Sequence, residues 1–419
     1  MIRRFLEHMA RNFLTQTASP IAIVFSDGRR LANREGPAEL EVRFLNKRAE
    51  LNTLIFGKWG LLESYINQSL EINGDLRLLI RAAAEQEPDL AQNQRKNAYP
   101  LLIRIRNFLH EIRHGNRSAG QGVENAKAHY DRGTEMFGRY LDPTRTYTCA
   151  YWKTGTRDLA AAQQNKLDHV CKKLLLKPGD SLIDVGGGWG SLLLHACGNY
   201  DIQGVNCCPV AAQNQWLQAE AARRGLDGRI RIQEQDFRQV RGTFDKYVSL
   251  GVYEHAGKRQ LEAWIRSMAG SLRRGGIGLL HFIAHDIPMD TDFFIRKYIF
   301  PGGYLPGLSE TIALMAKYGL EILDIENLRR HYALTLDAWA ENFEKNWEKI
   351  HALNPAVYNE RFRRTWLAYL TACAEYFRVE NAVLRLYQIT FSKGNTTAYP
   401  MDRGFLYRDH SSAEPGPDQ

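Results

Sequence analysis

Residues 182–190 read Leu-Ile-Asp-Val-Gly-Gly-Gly-Trp-Gly, an apolar run ending in an acid and four glycines. Residues 191–197, Ser-Leu-Leu-Leu-His-Ala-Cys, continue as a helix. A buried strand, a tight glycine turn and a helix N-terminus form the corner where open α/β sheets hold nucleotide-like ligands. Glycine matters there because a ligand can approach backbone where a Cβ would collide. The spacing is D-x-G-x-G-x-G, carried by Asp184, Gly186, Gly188 and Gly190, and not the G-x-G-x-x-G that cradles a pyrophosphate. Other groups that can hold or move protons stand near candidate strand ends: Asp236, Glu254 and His281. Cys149 is a free thiol and Tyr332 one of a run of aromatics. On residue type alone each has a plain structural role: a free Cys is usually a small buried hydrophobe, and an acid ahead of a helix supports its first turn.

The elements that must position these residues follow from periodicity. Candidate strands are Ser181–Val185, 201–205, Ile230–Gln233, 246–250, 276–283, 322–327 and 386–392, with helices between the first five. That alternation predicts a doubly wound sheet whose ligands sit at the carboxyl ends of its strands. Two long insertions follow the fifth and sixth strands, and the second is rich in aromatics from Tyr332 to Phe377. Most of these read as the core of a helical layer, and the same residues would line a pocket for a long apolar substrate. Residues 1–118 read as a small α+β domain. Its basic amphipathic helix over residues 2–14 packs on its own domain or lies on a membrane surface, the first being favoured. A hairpin turns at Ser26-Asp27-Gly28, a strand covers 39–44, and 51–80 and 97–114 are mostly helical. Arg104, Arg106, Arg113 and Arg117 thicken positive charge before the glycine-rich linker 115–122. A catalytic domain spans 119–410 and a polar tail 411–419. No apolar run reaches the ~20 residues that span a bilayer, and no signal peptide is evident. The six cysteines lack metal-finger spacing, so no metal is expected, and the compartment reads as cytosolic. The net charge of +8 favours anionic partners without choosing between membrane and nucleic acid.

The glycine loop resembles the S-adenosylmethionine loop of class I methyltransferases. Taken alone it leaves open another nucleotide ligand, or a turn with none. Residues 129–152, His-Tyr-Asp-Arg-Gly-Thr-Glu-Met-Phe-Gly-Arg-Tyr-Leu-Asp-Pro-Thr-Arg-Thr-Tyr-Thr-Cys-Ala-Tyr-Trp, resemble the cyclopropane-fatty-acid synthase family. Four further stretches agree in order: 250–257 (Leu-Gly-Val-Tyr-Glu-His-Ala-Gly), 280–283 (Leu-His-Phe-Ile), 297–306 (Lys-Tyr-Ile-Phe-Pro-Gly-Gly-Tyr-Leu-Pro) and 331–339 (His-Tyr-Ala-Leu-Thr-Leu-Asp-Ala-Trp). The first domain is similar more loosely, through Leu-Leu-Glu-Ser-Tyr at 61–65. The resemblance implies a class I methyltransferase (Rossmann-like) seven-stranded sheet with helical insertions forming a lipid pocket, plus the N-terminal α+β domain. It implies methyl transfer from S-adenosylmethionine to the cis double bond of a phospholipid acyl chain, with ring closure assisted by a bound bicarbonate. The matching bicarbonate residues are Cys149, Glu254, His281, Tyr332 and the backbone of Ile283. The matching cofactor residues are Tyr147, Thr148, Asp184, Gly186, Gly188, Gly190, Gln235 and Asp236. Membrane contact on the cytoplasmic side, a homodimer and no nucleic-acid partner are also implied.

The sequence departs from the family pattern at Gly187, where the family has Cys, and at Thr134, where it has Asn. After the second strand, Asn-Cys-Cys-Pro at 206–209 replaces Thr-(Leu/Ile)-Ser, and Gln213 is displaced. These departures keep open a lipid C-methyltransferase making a methyl-branched or furan-precursor chain. Further alternatives are an N-methyltransferase, against which the complete bicarbonate set argues, and a catalytically silent binding protein.

Overall fold

The computed structural model describes residues 2–86, 115, 120–121, 124–125 and 133–407. The first part of the chain builds a four-stranded sheet from β1 (Ile21–Val24), β2 (Arg30–Ala32), β3 (Leu40–Phe44) and β4 (Leu70–Gly74) in the order β2-β1-β3-β4. The β1–β2 hairpin turns at Gly28, whose φ of +86° suits glycine. Helices α1 (Ile2–Thr15), α2 (Lys47–Phe56), α3 (Lys58–Ile66) and α4 (Leu76–Glu85) accompany this sheet. The apolar side of α1 packs inward through Leu6, Ala10 and Leu14, while Phe5 faces out. Residues 51–80 are therefore not one helical stretch. The chain leaves α3 through Gln68, at a φ of +59°, and enters β4, where Leu70 and Ile72 pair with Phe44 and Val42. The expected helix over 97–114, its arginines and the linker's interior lie outside the described residues.

Downstream stand β5 (Ser181–Val185), β6 (Gln203–Cys207), β7 (Ile230–Gln233), β8 (Phe244–Leu250), β9 (Leu272–Ala284), β10 (Leu320–Asn327) and β11 (Arg385–Lys393), in the order β10-β11-β9-β8-β5-β6-β7. Only β11 runs antiparallel to its neighbours among these strands. The expected α/β sheet is present strand for strand, with ends shifted by a few residues. The order reverses between β5 and β8, and the crevice at such a switch point is where ligands bind. Helices α5 (Thr134–Tyr140), α6 (Leu159–Lys173), α7 (Ser191–Tyr200), α8 (Ala211–Arg223), α9 (Leu261–Ser271) and α10 (Leu308–Lys317) flank the chain around the sheet. Between β10 and β11, α11 (Arg329–Lys345), α12 (Trp347–Leu353) and α13 (Glu360–Arg378) form a helical roof. Its aromatics Trp339, Phe343, Trp366 and Phe377 are fully buried together with Phe137 and Tyr140 of α5. Burying such rings supplies most of the drive to form the roof.

Candidate active site

The glycine corner comes first because its geometry follows from the sequence most directly. At the end of β5, Gly186 turns with a φ of +81°, and a Cβ there would lie 2.5 Å from a Val252 methyl. Its N–H donates to Cys207 O at 2.8 Å, tying the loop to β6. Burial pushes the Asp184 carboxyl up to about 7, and its Oδ1 has no partner among the described residues. Asp184, Gly186 and Gly188 line one cavity with Tyr147 and Thr148. The loop packs on α8 through Gly190 (φ +74°), where a Cβ would press on Leu217 at 2.4 Å, and Gly190 does not line the cavity. Gln235 and Asp236 follow β7 outside the lining. Gln235 donates to Gln233 Oε1 at 2.9 Å, and Asp236 is paired with Arg238 at 2.6 Å.

Two of the departures from the family pattern are coupled in space. Asn206 is buried on β6 opposite Asp184, and a Cβ on residue 187 would lie 2.3 Å from Asn206 Oδ1 and 2.7 Å from Asp184 Oδ2. The bare Gly187 makes room for the amide. Asn206 in turn donates to Asn214 Oδ1 at 3.1 Å and to Gly188 O at 3.4 Å, holding the loop and α8 together.

A second cavity adjoins the first and shares Tyr147, Thr148, Gly251 and His255 with it. Cys149, Glu254, His281, Ile283 and Tyr332 all line it, so the fold gathers five positions scattered over 184 residues of chain. The rest of the wall is apolar and aromatic, including Phe300, Leu336, Tyr369 and Phe377. Glu254 sits on a 3₁₀ turn just after β8, and its Oε1 accepts from Ile283 N at 2.6 Å. The amide that the resemblance assigns to an anion is thus engaged by Glu254. Glu254 Oε2 is buried without a partner among the described residues, and burial pushes this carboxyl up to about 7. His281 is pushed down to about 3 by burial and then by Lys166 and Lys173. Burial raises the Cys149 thiol and the Tyr332 phenol far above their ordinary range. At neutral pH the wall therefore presents a thiol, a neutral imidazole, a phenol and a carboxyl near its midpoint. The Cys149 thiol donates to Ala150 O at 3.2 Å, which leaves His281, Tyr332 and a protonated Glu254 as the donors along this wall. Burial disfavours a thiolate at Cys149, because low dielectric penalises the charged form.

The loop carrying Tyr147 to Cys149 has no regular structure, and side chains hold it instead. Asp142 accepts from the backbone of Thr144 at 2.8 Å and Thr146 at 2.9 Å, fixing the entry turn. From α6, Gln163 donates to Thr148 O at 2.8 Å and Lys166 to Thr148 Oγ1 at 3.0 Å. From α11, Thr335 Oγ1 accepts from Ala150 N at 3.1 Å, and His331 Nδ1 from Trp152 N at 2.9 Å. Lys166 lines the glycine-corner cavity and is 1 % exposed, and its residue type alone does not mark it in the sequence. The available signal is its place on the core-facing side of α6, among Ala162, Gln163 and Val170. A cation on that face needs an acceptor.

Elsewhere, a groove of about 490 Å³ runs between β4 and the roof helices. Its charges are largely satisfied by one another, as in Arg363 with Glu344 and Arg364 with Glu360, so it lacks the desolvated polar groups of the two joined cavities.

Known proteins place this arrangement. A family model described as mycolic acid cyclopropane synthetase matches residues 117–389. Cyclopropane-fatty-acyl-phospholipid synthase of Escherichia coli is 35% identical over 364 residues, which cover 86% of this chain and 89% of that protein. A probable fatty acid methyltransferase of Pseudomonas putida is 33% identical, covering 82% and 86%. The solved structure of the mycolic acid cyclopropane synthase CmaA1, complexed with SAH and CTAB, is 32% identical, with a TM-score of 0.59 over 65% of this chain and 98% of that one. With its glycine corner, its apolar second cavity and these relatives, the chain belongs to the cyclopropane synthase family and is an S-adenosylmethionine-dependent methyltransferase.

Proposed function

We propose that this enzyme methylenates the cis double bond of unsaturated phospholipid acyl chains, closing a cyclopropane ring, with a bicarbonate ion held beside the reacting carbons. The observation that carries the reading is the junction of two cavities at Tyr147, Thr148, Gly251 and His255: one is a glycine corner, the other a greasy chamber with convergent donors. When bound, S-adenosylmethionine supplies an electrophilic methyl group and bicarbonate a proton acceptor. An alkene is a weak nucleophile, so the protein's task is to align two ligands across the shared wall. Asp184 and the loop glycines fit the polar tail of a phosphate-free nucleoside. His281 and Tyr332 fit a small oxyanion as donors, and Cys149 joins them once its thiol turns from Ala150 O, to which it donates at 3.2 Å. The partnerless Glu254 Oε2 fits its remaining hydroxyl, or donates when protonated. Phe300, Tyr369 and Phe377 keep water from the cation that forms on the substrate, and ring faces stabilise positive charge.

Docking at an anionic bilayer is supported by the net charge of +8 and by α1, which turns Phe5, Arg4 and Arg11 outward. Among the described residues no helix is long and apolar enough to cross a membrane. Methyl-labelled S-adenosylmethionine incubated with the protein and unsaturated phosphatidylglycerol vesicles should put label in the lipid fraction. Label absent from lipid overturns the reading.

A further inference from the structure

Behind His281, on the side away from the second cavity's ligands, runs a chain of buried polar groups to which the proposed reaction assigns no part. His281 on β9 lies directly opposite Gln388 on β11, and His281 Nδ1 is 3.2 Å from Gln388 Nε2. Gln388 Oε1 accepts from Lys173 Nζ at 3.0 Å. The same ammonium pairs with Glu326 Oε2 at 2.6 Å, and Glu326 accepts from His169 Nε2 at 2.7 Å. His281, Gln388 and Lys173 are each at most 1 % exposed. His169 and Lys173 outweigh burial at Glu326 and hold its carboxyl down at about 2, so the far end of the chain is a fixed negative charge.

The direction of every bond follows from the one group without a choice. A lysine ammonium has donors only. It must therefore face the carbonyl oxygen of Gln388, which turns the amide NH₂ toward His281. An NH₂ group cannot accept, so Nδ1 must be the acceptor and carry no proton. A neutral imidazole with a bare Nδ1 bears its proton on Nε2. His281 lines the cavity, and Nε2 is the ring nitrogen left to serve it.

We infer that Gln388 and Lys173 are positioning residues that lock His281 in the Nε2–H tautomer, making it an obligatory hydrogen-bond donor to the anion in the cavity and removing it as the base for ring closure. The inference rests on the proposed function for its anion, but the tautomer itself needs no ligand. It divides the labour in the chamber. A base must present a lone pair, and His281 presents an N–H. Proton removal then falls to the anion, held by His281 with Cys149 and Tyr332, or to Glu254. The family pattern names His281 but carries no reason for its protonation state. Here that reason lies on α6, β10 and β11, more than 40 residues from His281 along the chain at its nearest.

The test uses the full-length protein with isotopically labelled histidine and no cofactor, lipid or added bicarbonate. Two-bond proton–nitrogen spectra report which ring nitrogen is protonated, and the His281 signal is assigned by its loss in His281→Asn. The wild type should show a protonated Nε2 and a bare Nδ1 at His281. In Gln388→Glu the new carboxylate, neutralised by Lys173, accepts from the ring, so the proton should move to Nδ1. Turnover should then fall roughly ten- to hundredfold, the effect of losing a hydrogen bond to a charged group, with S-adenosylmethionine affinity by calorimetry unchanged. A protonated Nδ1 in the wild type overturns the inference, and so does a Gln388→Glu protein that keeps the wild-type tautomer. Should Gln388→Glu not fold, the wild-type spectrum decides by itself. A wild type with the expected tautomer but no lipid labelling would instead overturn the proposed function and leave the tautomer assignment standing.

Discussion

Glu254 carries the sharpest consequences at the scale of a single residue. It touches the Ile283 amide with one oxygen and leaves the other buried without a partner. Glu254→Gln keeps the shape and removes the titration. We expect it to bind S-adenosylmethionine normally, because Glu254 lies outside the glycine-corner cavity, and to lose about 100-fold in turnover. Near-normal turnover would remove Glu254 from the mechanism. The same variant gives a pH test. The folded-state carboxyl is raised from 4.5 to about 7, so between those values the folded protein binds more protons than the unfolded chain. Stability supplied by Glu254 is complete below about 4.5 and is lost as pH rises through about 7, amounting to roughly 3 kcal/mol at about 1.4 kcal/mol per pH unit. The stability advantage of Glu254→Gln over the wild type should therefore grow across that window in denaturant titrations. A constant difference would contradict the burial argument. The five chamber residues were legible in the sequence through motif order. The groups behind them were not: nothing local to Gln388 or Lys173 announces a partnership with His281, because strand pairing creates it.

At the scale of elements, the non-regular strap over residues 146–152 is the part most exposed to remote damage. It has no ladder of its own and depends on side chains from α6 and α11. Thr335 is the central tie. It is fully buried, accepts from Ala150 N and Trp152 Nε1, each at 3.1 Å, and donates to His331 O. Thr335→Val preserves volume and orphans a buried donor, Ala150 N, and a half-buried one, Trp152 Nε1. We predict a loss of about 2 kcal/mol or more in unfolding free energy, with turnover reduced because Cys149 precedes Ala150. Unchanged stability by denaturant titration would show that the strap is held otherwise. The strands of the large sheet were readable because each is a short apolar run bounded by turn residues. By contrast β4 was hidden: it is five residues long, follows a helix without proline, and leaves Glu71, Asn73 and Gly74 only partly buried or exposed. Its strand state is set by pairing with β3, a non-local cause.

At the scale of the whole molecule, helix α3 of the N-terminal part and the helical roof share a core. Trp59 of α3 is buried in the same aromatic cluster as Phe294 and Trp366, and its indole N–H donates to Asp292 Oδ2 at 3.1 Å. Arg81 of α4 pairs at 2.7 Å with Glu375, which is fully buried on α13, and Arg364 donates to the carbonyls of Tyr65 and Leu70. Composition marked the first part as a separate small domain and gave no sign of this docking, since complementary surfaces leave no local pattern. Trp59→Ala should cost about 3 kcal/mol of stability and loosen the chamber wall at residues 292–300, seen as faster hydrogen exchange there. Unaltered exchange in that segment would separate the N-terminal sheet from the site. The central claim, that the two cavities together build a cyclopropane ring on an acyl chain, is tested most directly by one mass spectrum. Given S-adenosylmethionine with a fully deuterated methyl and an unsaturated phospholipid, the product should have lost its double bond and retain two of the three deuterons, the third having left as the proton removed at ring closure. A product that keeps all three deuterons in a methyl branch, or a lipid with no deuterium at all, would contradict it.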